Sequence, residues 1–431
     1  MNKIVLMKAE IISIGDELLI GQVVNTNASW MAEELNKAGI NVVQISSVSD
    51  EGKHIKASLR EAVQRADIIL MTGGLGPTKD DITKKVLMEY FGSKMIFHQE
   101  TFEHIKRLFK ARNYYPVTDI NRMQAEIPDN CIPLPNRVGT AVGMWFEQGN
   151  KIFVSMPGVP FEMKTLMLEQ VIPKIQKQFN SGHIYHKTIM TTGIGESMLA
   201  EKIDGWVENL PENIKLAYLP QPGIVRLRLS AAGKDENALK ELVNKQCRLL
   251  HDYVPKAIFG FDDIALEEII GKLLSKLGKS ISSAESCTGG YIAHLITSIA
   301  GSSNYFAGSI VSYTNEVKVN QLLVSKEDIE KNGAVSQQVV EQMAIGVKDL
   351  LKTDYALATS GIAGPDGGTE EKPVGTVWIA VASPEGVKSK RFQFGEHRGR
   401  NIRRSALMAM NMLRMELIKN PKIIGQPVHN C

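Results

Sequence analysis

Ser286 and Cys287 stand side by side in the stretch S-A-E-S-C-T-G-G-Y-I-A-H-L-I, residues 283–296, just ahead of Gly289 and Gly290. Either residue type can attack a carbonyl. A Gly-Gly pair before an apolar helical pattern also lets backbone amides approach a developing oxyanion. A serine is a weak nucleophile until a base takes its proton. His294 lies two turns into the following helix and cannot fold back, and His397 and His429 are far along the chain. The stretch V-S-Y-T-N-E-V-K supplies a substitute. Tyr313 ends a strand, Asn315 is a candidate N-cap, and Lys318 falls in the first helical turn. The helix dipole disfavours a cation there, which lowers the pKa as a lysine base requires. A Ser-Lys pair with a tyrosine relay is an alternative to Ser-His. A lysine at this spacing is about as often a solvated residue on a helix face. Cys287 has no activating partner in view and is expected to pack beside the turn.

A third stretch, T-S-G-I-A-G-P-D-G-G, follows a strand and could cradle a phosphate with backbone amides, although any tight turn favours Gly and Pro. Arg398, Arg400, Arg403 and Arg404 cluster at the start of the last helix. Most of them read as a solvated basic face, with one free to pair with a phosphate. The candidate substrate contacts are therefore Glu285, Cys287, Thr288, Gly289 and Gly290 on the first loop and Asn315 on the second. Ser360, Gly361 and Gly364 on the third loop and Arg398 complete the set.

The N-terminal part carries a second constellation. I-S-I-G-D-E-L-L-I-G places Asp16 and Glu17 just beyond a strand, and T-G-G-L-G-P-T-K-D-D puts a Gly-rich turn after another. The candidate nucleotide contacts are Gly15, Asn25, Asn27, Gly73, Gly74, Gly76, Thr78, Gly139 and Gly158. Asp16, Asp80 and Asp81 are candidate ligands of a magnesium-type ion, which keeps waters and bridges to substrate phosphates. Acidic residues at helix starts are also ordinary caps and dipole partners.

These loops need a frame. Residues 9–95 alternate apolar strands (AEIISIG, NVVQISSV, DIILMTGG) with amphipathic helices (NASWMAEELNKAG, HIKASLREAVQRA), the rhythm of a parallel sheet covered on both faces. The stretch 126–160 is rich in Pro and Gly and carries the strand KIFVSMPG. A helix follows, with Pro173 set to kink it. Around His183 a small α+β unit begins, and from about Ala265 a second α/β run. The expected fold is multidomain α/β: a three-layer α/β/α domain (1–180), a small α+β domain (181–257) and a C-terminal α/β domain (258–420). In open α/β sheets ligands sit beyond the C-terminal ends of the strands, where the loops at 284–290, 313–318 and 360–368 lie.

The 431 residues carry a formal net charge of +3, so composition gives no pull toward nucleic acid or membrane. The four cysteines are far apart and form no CxxC pair, which argues against zinc and a disulfide framework. No apolar stretch reaches membrane length, and the N-terminal IVLM run is too short for a signal peptide. A cytoplasmic protein is expected.

The motifs A-E-S-C-T-G-G, Y-T-N-E-V-K, G-I-A-G-P-D-G-G and K-P-V-G-T-V resemble the C-terminal domain of the CinA family, the nicotinamide-nucleotide amidases. The resemblance implies a serine amidase that converts nicotinamide mononucleotide to nicotinate mononucleotide and ammonia, without metal or cofactor. Its catalytic serine, tyrosine and lysine fall on Ser286, Tyr313 and Lys318, with Thr314 where serine is common. G-D-E-L-L-I-G, N-T-N, G-G-L-G-P-T-K-D-D and P-G-V-P-F-E-M resemble the MoaB/MogA-like molybdopterin-binding domain found at the N-terminus of CinA proteins. That implies ADP-ribose cleavage with Mg, Mn or Co, or alternatively pterin binding. Residues 182–256 resemble the family's KH-like domain. G-I-G-E at 193–196 is not the GXXG clamp of an RNA binder, so no nucleic acid is expected. The family further implies a homodimer. Two competing readings remain: a competence or recombination accessory protein, and glycosidic cleavage assisted by Glu285.

Overall fold

The computed structural model describes residues 7–78, 81–111, 116–179 and 182–423. The chain divides into two compact units, Met1–Tyr185 with Ala231–Lys240, and His186–Ser230 with Glu241–Cys431.

The N-terminal sheet runs, edge to edge, Asn41–Val48, Lys8–Ile14, Ile68–Thr72, Lys151–Met156, Gly143–Gln148, Ile132–Leu134. The first four strands are parallel. The last two turn antiparallel. Central strands such as IILMT are buried throughout, which is why they read as unbroken apolar runs. On one face Ile11, Leu70 and Val154 pack with Met31, Leu35, Met163 and Leu166 from helices Thr26–Lys37 and Pro160–Leu166. On the other, Ile12, Ile69 and Phe153 meet Ile55, Leu59, Val86 and Leu87 from Gly52–Arg65 and Thr83–Tyr90. This is the three-layer arrangement the periodicity implies. The two antiparallel strands are not legible in the rhythm, because both are short and set among Pro and Gly. The disturbance expected at Pro173 is a π-helical turn, Met167–Val171, directly before it. Proline offers no N–H to the preceding turn, and the wider turn accommodates that loss.

A four-stranded sheet of order Ile214–Gln221, Ile224–Gly233, His183–Thr192, Ile258–Phe261 forms the middle segment. Arg414, 2% exposed, donates to the carbonyls of Lys256 and Ile258 and so ties the last helix to this sheet's final strand.

The C-terminal sheet has the order Phe306–Val311, Ile281–Glu285, Tyr355–Gly361, Thr376–Ser383, Gly386–Gln393. Its first three strands are parallel, so their C-terminal ends share one edge. The last two are antiparallel. Leu266–Leu277, Tyr291–Thr297 and Arg398–Leu417 cover one face. Asn315–Leu322 and Gln337–Leu351 cover the other, where Ala284, Ala356, Ala358, Ala380 and Ala382 leave room for close approach. Among the described residues no helix is long and apolar enough to cross a membrane.

Candidate active site

Strand Ile281–Glu285 lies between two parallel neighbours, and Glu285 is in register with Val311 and Thr359. The Ser286 amide donates to the Thr359 carbonyl at 3.0 Å, which places the serine directly past the strand end, partly open to solvent. The chain then turns through Gly289 (φ 60°) and Gly290 (φ 97°), backbone angles that only glycine adopts without steric cost. Gly290 is the N-cap of helix Tyr291–Thr297 and has no side chain to cap with.

Glu285 takes over that role. Its carboxylate, fully buried, accepts from the amides of Gly290 (3.1 Å), Ile292 (3.0 Å) and Ala293 (2.9 Å) and from the hydroxyls of Ser283 and Ser309. Helix-start amides lack intrahelical acceptors, and a carboxylate satisfies them with charge-assisted bonds. The expected substrate contact at Glu285 is thus corrected. It is the buried anchor of the turn, with no lone pair left to assist a glycosidic cleavage. Two amides drop out of the expected oxyanion site as well. Gly290 donates to Glu285, and Gly289 donates to the Ser286 carbonyl. Among the described residues the amides of Cys287 and Thr288 donate to no other residue. Burial pushes the Cys287 thiol up to about 12, so it stays neutral. The Thr288 hydroxyl pairs with that of Thr359 at 2.8 Å inside the fold.

Thr314, in extended conformation, caps helix Asn315–Leu322 by accepting from the Val317 amide. Asn315 is already the first helical residue, which corrects its expected cap role. The frame still delivers Lys318 one turn in, only 1% exposed. Its Nζ lies 3.2 Å from Ser286 Oγ, 2.8 Å from the Ser312 carbonyl and 3.4 Å from that of Tyr313. Burial holds its pKa below the ordinary lysine value of 10.5, because the charged form loses its water. A neutral amine has two N–H bonds and one lone pair. In that neutral form, with the two carbonyls accepting its N–H bonds, the amine has its lone pair left for the serine hydroxyl.

Tyr313 is placed otherwise than a relay requires. Its exposed hydroxyl accepts from Arg398 Nη2 at 3.0 Å, and only its backbone carbonyl touches Lys318. Arg398 also donates from Nη1 to the Gly364 carbonyl at 2.9 Å, so it clasps the second and third loops together. Ser360 donates to the Ala334 carbonyl at 2.7 Å, and Gly361 is packed against Thr376 and Val377. Both support the loop from within the fold. Gly364, with Arg398 on its carbonyl, leads into the loop 365–370, which with Glu396 and His397 lines an open cavity of ≈ 800 Å³.

In the N-terminal unit Gly15, Gly73, Gly74, Gly76, Asp81 and Gly158 line one cavity of ≈ 420 Å³. A Cβ on Gly73 would meet the Ile14 carbonyl at 2.1 Å, so this turn admits only glycine. The other expected contacts support the wall. Asn25 caps helix Thr26–Lys37 through the Ala28 amide, and Asn27 donates to the Gly158 carbonyl at 2.7 Å. Thr78 is bonded to Asp81 through amide and hydroxyl. Gly139 donates to Asn136 and packs against Glu162. The expected metal set is not gathered. Asp16 exchanges hydrogen bonds with Asp50, Asp81 is turned to Thr78, and Asp80 lies outside the described residues. Among the described residues no three His, Cys, Asp or Glu side chains come together as a cation cage. The cavity wall nevertheless carries Glu17, Asp50, Asp81 and Glu162, with no lysine or arginine among its described residues. Sequence reasoning missed Asp50, Gln124, Thr140 and Glu162, which reach the cavity from separate segments, Glu162 from the first turn of helix Pro160–Leu166. That donor set suits a hydrated cation held by one or two carboxylates and by phosphates.

Three family descriptions match the chain: "CinA C-terminal domain" over residues 263–417, "Probable molybdopterin binding domain" over 10–177, and "Damage-inducible protein CinA KH domain" over 186–260. A CinA-like protein of Flavobacterium psychrophilum is 49% identical over 96% of this chain and 99% of its own. One of Cytophaga hutchinsonii is 46% identical over 95% and 98%. Among solved structures, the competence/damage inducible protein CihA from Agrobacterium tumefaciens is 39% identical, covering 35% of this chain and 94% of its own, with a TM-score of 0.34.

Proposed function

The chain belongs to the CinA family, and we propose that its C-terminal domain is a serine amidase acting on the carboxamide of nicotinamide mononucleotide. The observation that carries this reading is the buried Lys318 amine 3.2 Å from Ser286 Oγ, its remaining hydrogens directed at two carbonyls. Neutral Lys318 takes the serine proton as Ser286 attacks the carboxamide carbon. The oxyanion forms beside the Cys287 and Thr288 amides, which Glu285 holds in place by fixing the helix start behind them. Lys318 then returns the proton to the departing nitrogen, and ammonia leaves. Water, deprotonated by the same amine, cleaves the acyl-serine and releases nicotinate mononucleotide. Tyr313 and Arg398 hold the mouth of the site. The test is the product mixture formed without added metal. Ammonia and nicotinate mononucleotide support the reading, whereas free nicotinamide would mean glycosidic cleavage and sink it.

A second activity is supported by the N-terminal cavity. Gly73, Gly74, Gly76 and Gly158 let backbone approach a diphosphate, and four carboxylates without a basic residue among the described lining require a cation to balance it. A bound Mg, Mn or Co ion would neutralise phosphate charge, and the carboxylates Glu17, Asp50, Asp81 and Glu162 on this wall are the residues that would hold it, directly or through its waters. We read ADP-ribose as the substrate and AMP with ribose 5-phosphate as the products. Cleavage that stops on chelation supports this. Tight pterin binding without ADP-ribose cleavage would favour the alternative.

A further inference from the structure

One buried side chain organises the loop between strands Ile132–Leu134 and Gly143–Gln148, and neither proposed reaction uses it. Asn136 is 2% exposed, and its backbone carbonyl accepts from His104 Nε2 at 2.6 Å, which pins the loop from outside. Its side-chain oxygen accepts from the amides of Val138 (3.2 Å) and Gly139 (3.1 Å). Its side-chain nitrogen donates to the Ala141 carbonyl (2.9 Å) and to Glu162 Oε2 (2.7 Å). An asparagine side chain has two N–H bonds and two acceptor lone pairs, and all four are engaged. Three of these bonds fold the loop onto itself. The fourth reaches across 26 residues to a carboxylate that lines the N-terminal cavity.

Gly139 shapes the other side of that carboxylate. A Cβ there would lie 2.1–2.3 Å from the carboxyl atoms of Glu162, so the glycine leaves open the space the carboxylate fills. The carboxylate is thus held between a hydrogen-bond donor and a bare Cα. Asn136 is neutral, so it orients the carboxylate without cancelling its charge. Carboxylates that ligate metal are themselves hydrogen-bonded by neighbours, which fix their direction.

We propose that Asn136 and Gly139 are positioning residues that set the Glu162 carboxylate as a ligand of the divalent cation in the N-terminal cavity. This rests on the metal-dependent reading of that cavity and adds which carboxylate is preset and what presets it. A cation that keeps most of its waters needs only one or two such carboxylates.

The test is titration of the full chain with Mn²⁺ alone, read from the paramagnetic resonance signal of the free ion. Wild type binds it saturably. Gly139→Ala is the selective variant. Gly139 lies outside the left-handed region, and the new methyl first meets the far end of a flexible side chain. The carboxylate moves aside while the loop stays. Asn136→Ser keeps a short acceptor for the turn amides but does not reach Glu162. Gly139→Ala, Glu162→Gln and Asn136→Ser each weaken Mn²⁺ binding by about tenfold or more. Glu169→Gln, which removes an exposed carboxylate paired with Arg137, leaves it unchanged. Melting temperatures taken without metal separate a lost ligand from a lost fold. If wild type binds Mn²⁺ and folded Gly139→Ala and Glu162→Gln bind it as tightly, the proposal is overturned and the cation reading of the cavity stands. A wild-type chain that binds no Mn²⁺ overturns both.

Discussion

Replacing Lys318 by Met keeps the length of the side chain and removes the amine. Two consequences follow from where that amine sits. It is the one side-chain base within hydrogen-bond reach of Ser286 Oγ among the described residues, at 3.2 Å. Its loss should lower turnover of nicotinamide mononucleotide by about 10²–10⁴, or about 3–5 kcal/mol of barrier. Stability should respond differently. Lys318 is almost fully buried, and burial holds its pKa below 10.5. Below the lowered value it is protonated in both folded and unfolded chains, and the whole penalty of burying an ammonium is present. Between that value and 10.5 only the unfolded chain keeps the proton, so the penalty shrinks as pH rises and vanishes above 10.5. Methionine carries no such penalty. Orphaning the Ser312 and Tyr313 carbonyls offsets the gain by about 1–3 kcal/mol, but that offset does not titrate. Wild type should therefore gain stability relative to Lys318→Met as pH is raised toward 10.5. The assays are ammonia release and melting temperature across pH. A variant that keeps turnover within about tenfold, or a stability gap that does not move with pH, refutes the reasoning.

Three further outcomes are expected. Wild-type kcat/KM should rise with pH through an inflection below 10.5, because only the neutral amine accepts the serine proton, and stopped initial-rate assays over that range would show it. Glu285→Gln should lose about 1–3 kcal/mol of stability by denaturant melts and slow turnover, since three amide bonds then rest on a neutral amide. Tyr313→Phe and Arg398→Ala should be non-additive in kcat/KM, coupled by about 0.5–1.5 kcal/mol through their shared hydrogen bond, as a double-mutant cycle would measure.

The meeting of Ser286 and Lys318 was legible because both follow strand ends, and strand ends can be read from apolar runs. Glu285 shows the limit of such reading. Its neighbours in sequence suggest a ligand contact, but the strand pins its side chain inward, under the next helix's amides. Thr314 and Asn315 are both capping types, and only the backbone angles decide between them. Arg398 meets Tyr313 and Gly364 across separations of 85 and 34 residues, which no local pattern encodes. In the N-terminal domain the glycine turns were visible for the same reason as Ser286. Asp50 and Glu162 were not, since nothing in their own segments marks them as facing a shared cavity. The antiparallel strands Ile132–Leu134 and Gly143–Gln148 were hidden by the Pro and Gly around them.

The most direct test of the central claim is ammonia release from nicotinamide mononucleotide, without added metal, by wild type and by Ser286→Ala at matched folding. Turnover by wild type and a fall of at least about a thousandfold in the variant is the expected result. A folded Ser286→Ala protein that releases ammonia within about tenfold of the wild-type rate would contradict the account, since the Lys318 amine would then have no serine proton to take.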